Sequence, residues 1–214
     1  MDLFRHVRIY FARFQALMLS HRSKEETHKY WTVPNDGNNA PSIYTGVGIT
    51  ADKASNERTE NLVKIVKDLG IKEPRILEVG CNAGRNLNGL YNAGFKHLTA
   101  IEISKNAINQ MENVFPETYK NSKIHCGPAE EILPQFENNS FDVVYTMAVL
   151  QHIHSDSINE ITKEICRVSN SYLLINEAET YASWRHFPRS YRTIFSKLGA
   201  KFMKRNKGTR IFKK

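Results

Sequence analysis

Two acidic residues and two glycines, at fixed spacing, form the part of this sequence best suited to chemistry. In the stretch RILEVGCNAGRNL, residues 75–87, an apolar run ends at Glu78, Val79 and Gly80, and Gly84 follows four residues later. Glycine lets the backbone turn sharply and approach a ligand closely. The helical pattern that follows has first N–H groups with no partner in the helix. The sequence therefore predicts a ligand at this turn.

The acidic residues indicate what kind of ligand the turn binds. A dinucleotide site would read GxGxxG, but Asn82 and Arg85 stand where the second and third glycines would be. Glu102 ends the next apolar run, 22 residues after Gly80, close to the ~20 expected of a carboxylate that accepts hydrogen bonds from ribose hydroxyls. Because Glu78 suits a cation better than a pyrophosphate, a nucleoside with a positively charged tail fits both ends. S-adenosylmethionine is such a molecule.

Alternating strand and helix patterns must position these residues. Such alternation predicts parallel strands with helices on both faces, and a turn at 206–208 predicts a terminal hairpin with an antiparallel strand. Strands are predicted at 75–79, 97–103, 123–127, 141–147, 171–178, 201–205 and 209–213, seven in all, and helices at 55–69, 84–93, 104–115, 129–136, 155–168 and about 188–199.

The N-terminal part of the chain has a different pattern. Residues 2–30 are predicted to form one helix or two short ones, and the Pro-, Gly- and Asn-rich residues 31–50 an irregular connector. We therefore divide the chain into an N-terminal helical extension with a lid-like connector, residues 1–54, and a second unit, residues 55–214. Aromatic residues of the first unit either form a lid or cover the core: Tyr30, Trp31 and Tyr44.

Composition and cysteine spacing predict a cytoplasmic, globular chain. Of its 214 residues, 41% are apolar and 24% charged, as is usual for globular domains. Arg5, Arg8 and Arg13 interrupt the apolar residues at the N-terminus, which argues against a signal peptide. No window reaches the roughly 18 apolar residues of a membrane span. The three cysteines are well separated, which argues against disulfides and a zinc site.

Four motifs along the chain carry a family resemblance. EVGCNAGRN, IEIS, CGPAEEILP and FDVVYTMAVLQHI follow one another within about residues 60–178, and they resemble the successive motifs of the class I S-adenosylmethionine-dependent methyltransferases. The resemblance implies a three-layer, Rossmann-like α/β fold with a seven-stranded, mostly parallel sheet whose last strand is antiparallel. It also implies S-adenosyl-L-methionine as cofactor and S-adenosyl-L-homocysteine as product.

The resemblance carries cofactor-binding roles onto particular residues of these motifs. The glycine turn surrounds the methionine part of the cofactor, Glu102 binds the ribose hydroxyls, and Ile103 packs on the adenine. Residues 129–130 lie at the adenine edge, and the end of the fourth strand lies near the methionine. The full predicted set is Glu78, Gly80, Cys81, Asn82, Gly84, Asn86, Glu102, Ile103, Ala129, Glu130 and Met147.

Two positions depart from the family pattern. Asn82 stands where the family more often has glycine, and Pro128 where it often has aspartate. Asparagine tolerates the left-handed conformation better than most residues, so a turn at Asn82 is still predicted. Pro128 removes an acceptor for the adenine amino group, and Glu130 is the candidate to replace it.

Two histidines follow the fourth strand, in LQHIH, at the face where a methyl acceptor would arrive. Methyl transfer from a sulfonium is a one-step displacement in which positioning supplies much of the acceleration. The acceptor also loses a proton, and imidazole titrates near neutral pH. His152 and His154 are therefore the predicted catalytic residues, with His152 as base; alternatively, His152 only packs or positions the acceptor. No cluster of carboxylates accompanies them, so we predict no metal.

Acceptor-binding residues are predicted from segments on the same face. The fifth strand ends in Asn176 and Glu177, and the basic, aromatic segment SWRHFPRSYR, residues 183–192, follows. Its arginines suit a carboxylate or phosphate, unless the segment is simply the solvated face of a helix. We predict a small polar or anionic acceptor and O-methylation of a sugar or related metabolite. The predicted substrate residues are Tyr44, Gln151, Glu177, Arg189 and Tyr191.

The charge distribution leaves other partners open. The net charge is +8, and residues 185–214 hold 11 Lys and Arg but no Asp or Glu. This basic end is either a solvated tail or a surface for nucleic acid, so an RNA or protein methyltransferase is an alternative function. A non-catalytic cofactor-binding protein is another. Peripheral membrane contact through residues 2–19 is a further alternative, and the oligomeric state is left open.

Overall fold

The computed structural model of the protein describes residues 7–11, 14, 23–34, 40–45 and 53–214. Within the N-terminal extension, residues 7–11 and 14 are helical, helix α1 spans Lys24–Thr32, and a 3₁₀ turn spans Pro41–Thr45. Much of the predicted helix at 2–30 and of the predicted connector lies outside the described residues. So does the side chain of Tyr44, whose substrate role stays a prediction.

Seven strands form one mixed sheet in the order β3-β2-β1-β4-β5-β7-β6. The strands are β1 Ile76–Val79, β2 Leu98–Glu102, β3 Ser122–Cys126, β4 Phe141–Met147, β5 Ser169–Asn176, β6 Lys201–Asn206 and β7 Thr209–Lys213. β1 to β5 pair in parallel, whereas β7 runs antiparallel to both β5 and β6. The predicted Rossmann-like fold, with its antiparallel last strand, is confirmed.

Helices cover both faces of the sheet. Their bounds are α2 Lys53–Asp68, α3 Arg85–Asn92, α4 Lys105–Val114, α5 Pro116–Lys120, α6 Ala129–Ile132, α7 Ile158–Val168 and α8 Tyr191–Lys197, with 3₁₀ turns at Leu133–Gln135 and Leu150–His152. Leu62 of α2, Leu87 of α3 and Met111 of α4 pack in one apolar cluster. Ile161 of α7 and Phe195 of α8 pack in a second cluster. The sheet therefore forms the middle of three layers.

The central strand β1 shows how the core is built. All four of its residues are buried. Leu77 and Val79 belong to the cluster that contains α7 and α8, whereas Ile76 belongs to the cluster that contains α2. A parallel strand covered on both faces reads as a continuous apolar run, so the one carboxylate within it, Glu78, is a conspicuous exception.

The order of the strands creates a crevice at the carboxyl ends of β1 and β4. β1 pairs with β2 on one side and with β4 on the other, so the chain runs outward to β3 and then returns to the opposite side. At such a switch point the two connections diverge, and ligands bind between them. The same edge carries the residues that end these strands: Gly80, Glu102 and Met147.

The predicted C-terminal hairpin is present at the edge of the sheet. Lys207 and Gly208 join β6 to β7 with φ values of 40° and 92°, the left-handed conformation that a two-residue hairpin turn needs. β6 is an edge strand on which Lys201, Lys204 and Arg205 are exposed. Because charged side chains on an edge strand oppose pairing with other sheets, part of the basic C-terminus has a structural explanation.

Candidate active site

A cavity of about 380 Å³ lies at the carboxyl ends of β1, β2 and β4. It joins the predicted cofactor turn to the predicted catalytic histidines. Nine of the eleven predicted cofactor residues line it, and Glu78 and Gly84 lie outside the lining. The lining also includes both predicted catalytic residues and one predicted substrate residue: His152, His154 and Gln151.

The turn after β1 depends on three residues in the left-handed conformation. Gly80, Asn82 and Gly84 have φ values of 78°, 49° and 77°. A Cβ atom on Gly80 would collide with the side chain of Val149, and one on Gly84 with Met111. The Oδ1 atom of Asn82 accepts a hydrogen bond of 2.7 Å from the backbone N–H of Ala83. The glycines thus permit close packing, and Asn82 supports the turn with its own side chain.

Glu102 lies at the end of β2, where its carboxylate lines the cavity. One oxygen accepts a 2.8 Å hydrogen bond from the backbone N–H of Asn82, and the other a 2.9 Å bond from that of Ser104. Burial raises the pKa of Glu102, and the backbone hydrogen bonds oppose that rise. Each carboxylate oxygen can accept further hydrogen bonds, so two neighbouring ribose hydroxyls fit this side chain.

Glu78 lies beneath the cavity. It is 1% exposed, and its Oε1 atom accepts a 2.9 Å hydrogen bond from Nδ2 of Asn86, a residue of the cavity wall. Burial raises the pKa of Glu78 to about 7, although the hydrogen bond from Asn86 opposes the shift. Glu78 therefore acts on the cavity through Asn86.

The predicted adenine side of the cavity is formed by the ends of β2 and β3. Ile103 and Ala129 line it, and the backbone N–H of Gly127 donates a 2.9 Å hydrogen bond to the carbonyl oxygen of Glu102. The carboxylate of Glu130 also lines the cavity, and it binds Lys24 at 3.2 Å and His28 at 3.1 Å. Glu130 thus links the predicted adenine pocket to helix α1.

Burial alone would raise the pKa of Glu130. Its own backbone N–H and the neighbouring side chains of His28 and Lys24 outweigh that effect and lower the pKa. The carboxylate is therefore charged at neutral pH, which favours the contact with Lys24. An ionised carboxylate accepts hydrogen bonds and does not donate them, so Glu130 also keeps the acceptor character required of a partner for an adenine amino group.

Helix α1 closes one side of the cavity. A capping box begins the helix, because Ser23 Oγ accepts from the backbone N–H of Glu26 and Glu26 Oε2 accepts from that of Ser23. Trp31 lies with its ring centroid 4.5 Å from that of His152. The α1 region contributes these residues to the lining: Thr27, His28, Trp31 and Pro34.

Hydrogen bonds to both ring nitrogens hold His152 as one neutral tautomer. Gln151 Oε1 accepts from the backbone N–H of Ala178 at 2.7 Å, which directs the amide nitrogen of Gln151 to Nε2 of His152 at 3.2 Å. Nδ1 of His152 then donates to the carbonyl oxygen of Arg185 at 2.8 Å. Burial is the main cause that lowers the pKa of His152 to about 3. This arrangement does not favour His152 as the base.

His154 has a more open environment. Its Nδ1 atom lies 3.3 Å from both the backbone nitrogen and Oδ2 of Asp156, and its ring packs against Phe187 with centroids 5.5 Å apart. The carboxylate of Asp156 is largely exposed. His154 lines the cavity, so it is a histidine that an acceptor hydroxyl can approach.

Three of the predicted substrate residues do not line the cavity. The Glu177 carboxylate accepts from the backbone N–H groups of Val149 at 3.1 Å and Gln151 at 3.2 Å. Arg189 donates to the carbonyl oxygens of Leu150 at 2.9 Å and Ile153 at 2.7 Å. Irregular buried backbone needs such partners, so both side chains hold the 149–153 segment in place. Direct acceptor binding by these two residues is not supported.

Tyr191 is also placed away from the cavity. It is fully buried at the start of α8, in the apolar cluster of that face. Its backbone N–H donates a 3.0 Å hydrogen bond to Oε1 of Glu179. Glu179 in turn forms an ion pair with the buried Arg210. Tyr191 therefore belongs to the core, and its predicted contact with the acceptor is not supported.

The cavity includes basic residues outside the predicted site set. Arg185 and His186 line it from the basic, aromatic segment, in place of the predicted Arg189 and Tyr191. Arg85 and Arg58 line it from α3 and α2. Arg85 begins helix α3, directly after the glycine turn, so the sequence motif already pointed to this position. No sequence motif pointed to Arg58, because helix α2 precedes the first strand and contains none of the motifs.

Two absences concern only the part of the chain that the structure describes. No group of three or more His, Cys, Asp or Glu side chains there is arranged to hold a metal ion. None of the described helices is long and apolar enough to cross a membrane.

A family model matches the central part of the chain. Residues 77–173 match a family model described as "Methyltransferase domain". The match covers the glycine turn, Glu102 and both histidines. Together with the sheet order, it confirms the resemblance to the class I methyltransferases. S-adenosylmethionine is the cofactor that this domain implies, and the cradle formed by Gly80, Asn82 and the Glu102 carboxylate fits it.

Solved structures with the same fold include enzymes that act on different molecules. Magnesium protoporphyrin IX methyltransferase from Synechocystis PCC 6803, with bound S-adenosylmethionine, is 15% identical, with a TM-score of 0.67 over 91% of this chain and 97% of that one. Phosphoethanolamine N-methyltransferase 2 from Haemonchus contortus is 17% identical, with a TM-score of 0.64 over 81% of this chain and 44% of that one. At these identities the likeness concerns the fold.

A curated relative extends the comparison. An uncharacterized protein from Haemophilus influenzae is 27% identical over 108 residues, which are 50% of this chain and 43% of that protein. The match thus spans about two fifths of the length of that curated relative.

Proposed function

We propose that the protein transfers the methyl group of S-adenosylmethionine to a small, polar or anionic acceptor, because residues 77–173 match a methyltransferase-domain model and the sheet has the class I fold. When bound, S-adenosylmethionine supplies a methyl group on a positively charged sulfur, so the leaving group needs no activation by the protein. The reaction forms a bond between the acceptor atom and the methyl carbon, breaks the sulfur–carbon bond, and releases a proton from a hydroxyl acceptor.

One observation carries this proposal: a single cavity joins the Glu102 carboxylate to the histidines after β4. β2 and β4 flank β1, so their ends lie two strand spacings, about 10 Å, apart. A ribose bound at Glu102 thus lies about two strand spacings from the segment that follows β4. A nucleoside with a short charged tail would bridge that gap above the Gly80 turn.

The residues of the chain divide the work between the two ends. The turn at Gly80 and the carboxylate of Glu102 bind and orient the nucleoside. Gln151, His152 and Trp31 form the wall against which the acceptor packs, and helix α1 excludes water on that side. Positioning of this kind supplies much of the acceleration of a displacement reaction.

His154 is a better candidate than His152 for the base that accepts the proton of the acceptor molecule. The lone pair of His152 is occupied by Gln151, and its pKa is lowered to about 3, chiefly by burial. A group so weakly basic takes a proton poorly at neutral pH. His154 lines the same cavity without such a partner at Nε2 among the described residues, and the Nε2 lone pair can accept a proton when Nδ1–H donates to Oδ2 of Asp156. We assign His152 to positioning and His154 to proton acceptance.

A small acceptor is favoured over a polymer. The cofactor and the acceptor share a cavity of about 380 Å³, and α1 closes one side of it, so the acceptor end suits a metabolite-sized molecule. Among the described residues, none after His186 lines the cavity, so the basic hairpin stands apart from the reacting groups. These observations weaken the alternative of an RNA or protein substrate and favour a small acceptor, and O-methylation of a sugar or related metabolite stays a prediction.

The test is turnover of S-adenosylmethionine labelled in its methyl group. We expect label to move into a small product when the protein is mixed with a fractionated extract of small metabolites, and not with total RNA. His154→Gln should slow transfer about a hundredfold with unchanged affinity for S-adenosylhomocysteine. Label in RNA or protein would contradict the proposal. Tight cofactor binding without transfer to any fraction would favour a non-catalytic cofactor-binding protein.

A further inference from the structure

Arg185 carries a positive charge at the acceptor end of the cavity. Its Cζ atom lies 5.8 Å from the ring centroid of Trp31 and 5.7 Å from that of Trp184. Arg185 and Trp31 both line the cavity, next to His152 and His186. Contact with aromatic faces stabilises a guanidinium and restricts its orientation. The side chain is thus held at the cavity by rings from two distant parts of the sequence.

The backbone around Arg185 is held as firmly as its side chain. Ser183 and His186 form a short antiparallel bridge, and their side chains are hydrogen-bonded at 2.7 Å. The backbone N–H of Arg185 donates to Ser183 Oγ at 3.3 Å, and its carbonyl oxygen accepts from His152 at 2.8 Å. A binding group fixed before its ligand arrives loses little entropy on binding.

No carboxylate of the described residues forms an ion pair with Arg185. The carboxylates that line the cavity have other partners: Glu102 binds the backbone N–H groups of Asn82 and Ser104, and Glu130 binds Lys24 and His28. A guanidinium presents a planar set of donors that matches the oxygens of a carboxylate or phosphate. The missing counter-charge is therefore expected from the ligand.

The indole of Trp31 packs beside Arg185 at the same place. Its Nε1 atom is buried and has no hydrogen-bond partner among the described residues. Because this N–H has almost no accessible surface, it is shielded from the cavity, so Trp31 takes part through its ring and not as a donor. Arg185 thus offers donors and no acceptor to whatever occupies this end of the cavity.

The neighbouring arginines do not share this property. Arg189 is occupied by the carbonyl oxygens of Leu150 and Ile153. Arg192 stacks on Phe202 with its Cζ atom 4.5 Å from the ring centroid, and it does not line the cavity. Of the three arginines in the segment SWRHFPRSYR, Arg185 is thus the one that faces the site.

We infer that Arg185, held between Trp31 and Trp184, binds an anionic group, a carboxylate or a phosphate, on the methyl acceptor. This inference rests on the proposed function, since it assigns the acceptor to this end of the cavity. It makes the acceptor a molecule with two features: an anionic group at Arg185 and a nucleophilic atom beside His154. The acceptor chemistry predicted from the sequence is thereby narrowed to anions.

The two tryptophans provide a direct test, because Trp31 and Trp184 are the two tryptophans of the chain. The probes are sodium phosphate and sodium acetate, added at constant ionic strength to protein loaded with S-adenosylhomocysteine. The indole N–H signals in ¹⁵N–¹H spectra report binding. We expect a saturable shift with at least one of the two anions, and the anion that binds more tightly distinguishes a phosphate from a carboxylate acceptor.

Three variants make the result specific. Arg185→Gln should weaken anion binding at least tenfold, and Arg185→Lys, which keeps the charge but loses the planar fork, should lie between it and the wild type. Arg192→Gln, a matched control from the same segment, should titrate as the wild type does. Equal titration of Arg185→Gln and wild type, or no saturable shift with either anion, would overturn the inference.

Calorimetry with S-adenosylhomocysteine separates this inference from the proposed function. Wild type and Arg185→Gln should bind it with equal affinity, which also shows that the variant is folded. If the wild type does not bind it, the proposed function fails. If both bind it but the anion titrations do not differ, the role of Arg185 fails alone.

Discussion

His152 and His154 stand two residues apart, yet the protein gives them different chemistry. The sequence places both at the end of β4, where an acceptor arrives, and nothing in LQHIH distinguishes them. The distinction comes from Gln151, whose amide is oriented by the backbone N–H of Ala178 and so occupies Nε2 of His152. Which histidine can accept a proton is therefore decided by packing.

The neutral state of His152 has a measurable consequence. In the folded protein the pKa of His152 is lowered to about 3, whereas its ordinary value, expected in the unfolded chain, is 6.5. Between these values the unfolded chain binds more protons, so stability falls as the pH falls below 6.5. From about pH 7.5 to about pH 5.5, the wild type should lose about 1 kcal/mol of unfolding free energy relative to His152→Phe.

Urea unfolding of both proteins at the two pH values measures this difference, and the other titrating groups cancel because the proteins share them. Parallel changes in the two proteins would contradict the neutral His152.

Glu102 and Arg185 show which site residues a sequence can predict. Glu102 was predictable because it ends a strand at a fixed distance from a glycine turn, and both features are local. Arg185 was not distinguishable from Arg189 and Arg192, because three arginines lie within eight residues. Contacts with Trp31 and with the backbone of Leu150 separate them, and those contacts are formed between segments far apart in the sequence.

At the scale of elements, the turn between β1 and α3 brings the backbone close to the segment after β4. A Cβ atom on Gly80 would collide with Val149, so the missing side chain lets the two connections meet at the cavity. Gly70, after α2, has a similar φ of 67° but no atom within 4 Å of a Cβ position. Comparing the two glycines therefore distinguishes the energetic effect of the left-handed conformation from that of close packing.

Substituting each glycine by alanine tests this separation. Gly70→Ala is expected to cost about 1 kcal/mol of unfolding free energy, because alanine disfavours the left-handed conformation. Gly80→Ala should cost about 1–3 kcal/mol more, since the collision with Val149 adds to that penalty, and it should weaken cofactor binding. Denaturant unfolding measures both changes. Equal losses would show that the close approach has no energetic role.

Helix α1 marks the limit of prediction for elements. Strands and helices with strong periodicity were predicted within about three residues of their observed bounds, because their patterns follow local burial. The position of α1 over the cavity depends on Lys24 and His28 reaching Glu130 and on Trp31 reaching His152. Such long-range contacts leave only a weak signal, here the aromatic pair Tyr30 and Trp31.

At the scale of the whole molecule, the strand order could be expected only through the family resemblance. Alternation of strands and helices predicts a parallel sheet, but it does not say that β1 lies between β2 and β4. The charge pattern was likewise ambiguous. The structure places some of the C-terminal basic residues on edge strand β6. The arginines that line the cavity come from other parts of the chain: Arg58, Arg85 and Arg185.

The helical residues 7–11 and 14, which precede α1, present an apolar stripe to solvent. Val7, Tyr10, Phe11 and Phe14 are 59%, 71%, 64% and 62% exposed, and their spacing places them on one helical face. Ile9, at another angle, is buried. Aromatic residues interleaved with Arg5, Arg8 and Arg13 suit an anionic lipid surface. The stripe therefore supports the proposal of peripheral membrane contact, which the sequence left as an alternative.

Co-sedimentation with lipid vesicles tests that proposal. We expect the protein to sediment with phosphatidylserine-rich vesicles, less at high salt, and Tyr10→Ser/Phe11→Ser to remove most of the binding. Met203→Ser, which removes an exposed apolar side chain on β6, is the matched control and should bind as the wild type does. Absence of sedimentation, or a dimer in solution that the double variant abolishes, would contradict membrane contact.

The measurement that bears most directly on the central claim is calorimetric titration with S-adenosylmethionine and with NAD. The wild type should bind S-adenosylmethionine and not NAD. Glu102→Gln, which removes the charged acceptor for the ribose hydroxyls, should weaken binding by roughly tenfold or more, whereas Glu131→Gln, an exposed neighbour of Glu130, should not. Binding of NAD, or equal affinity of Glu102→Gln and wild type for S-adenosylmethionine, would contradict a nucleoside held at Glu102.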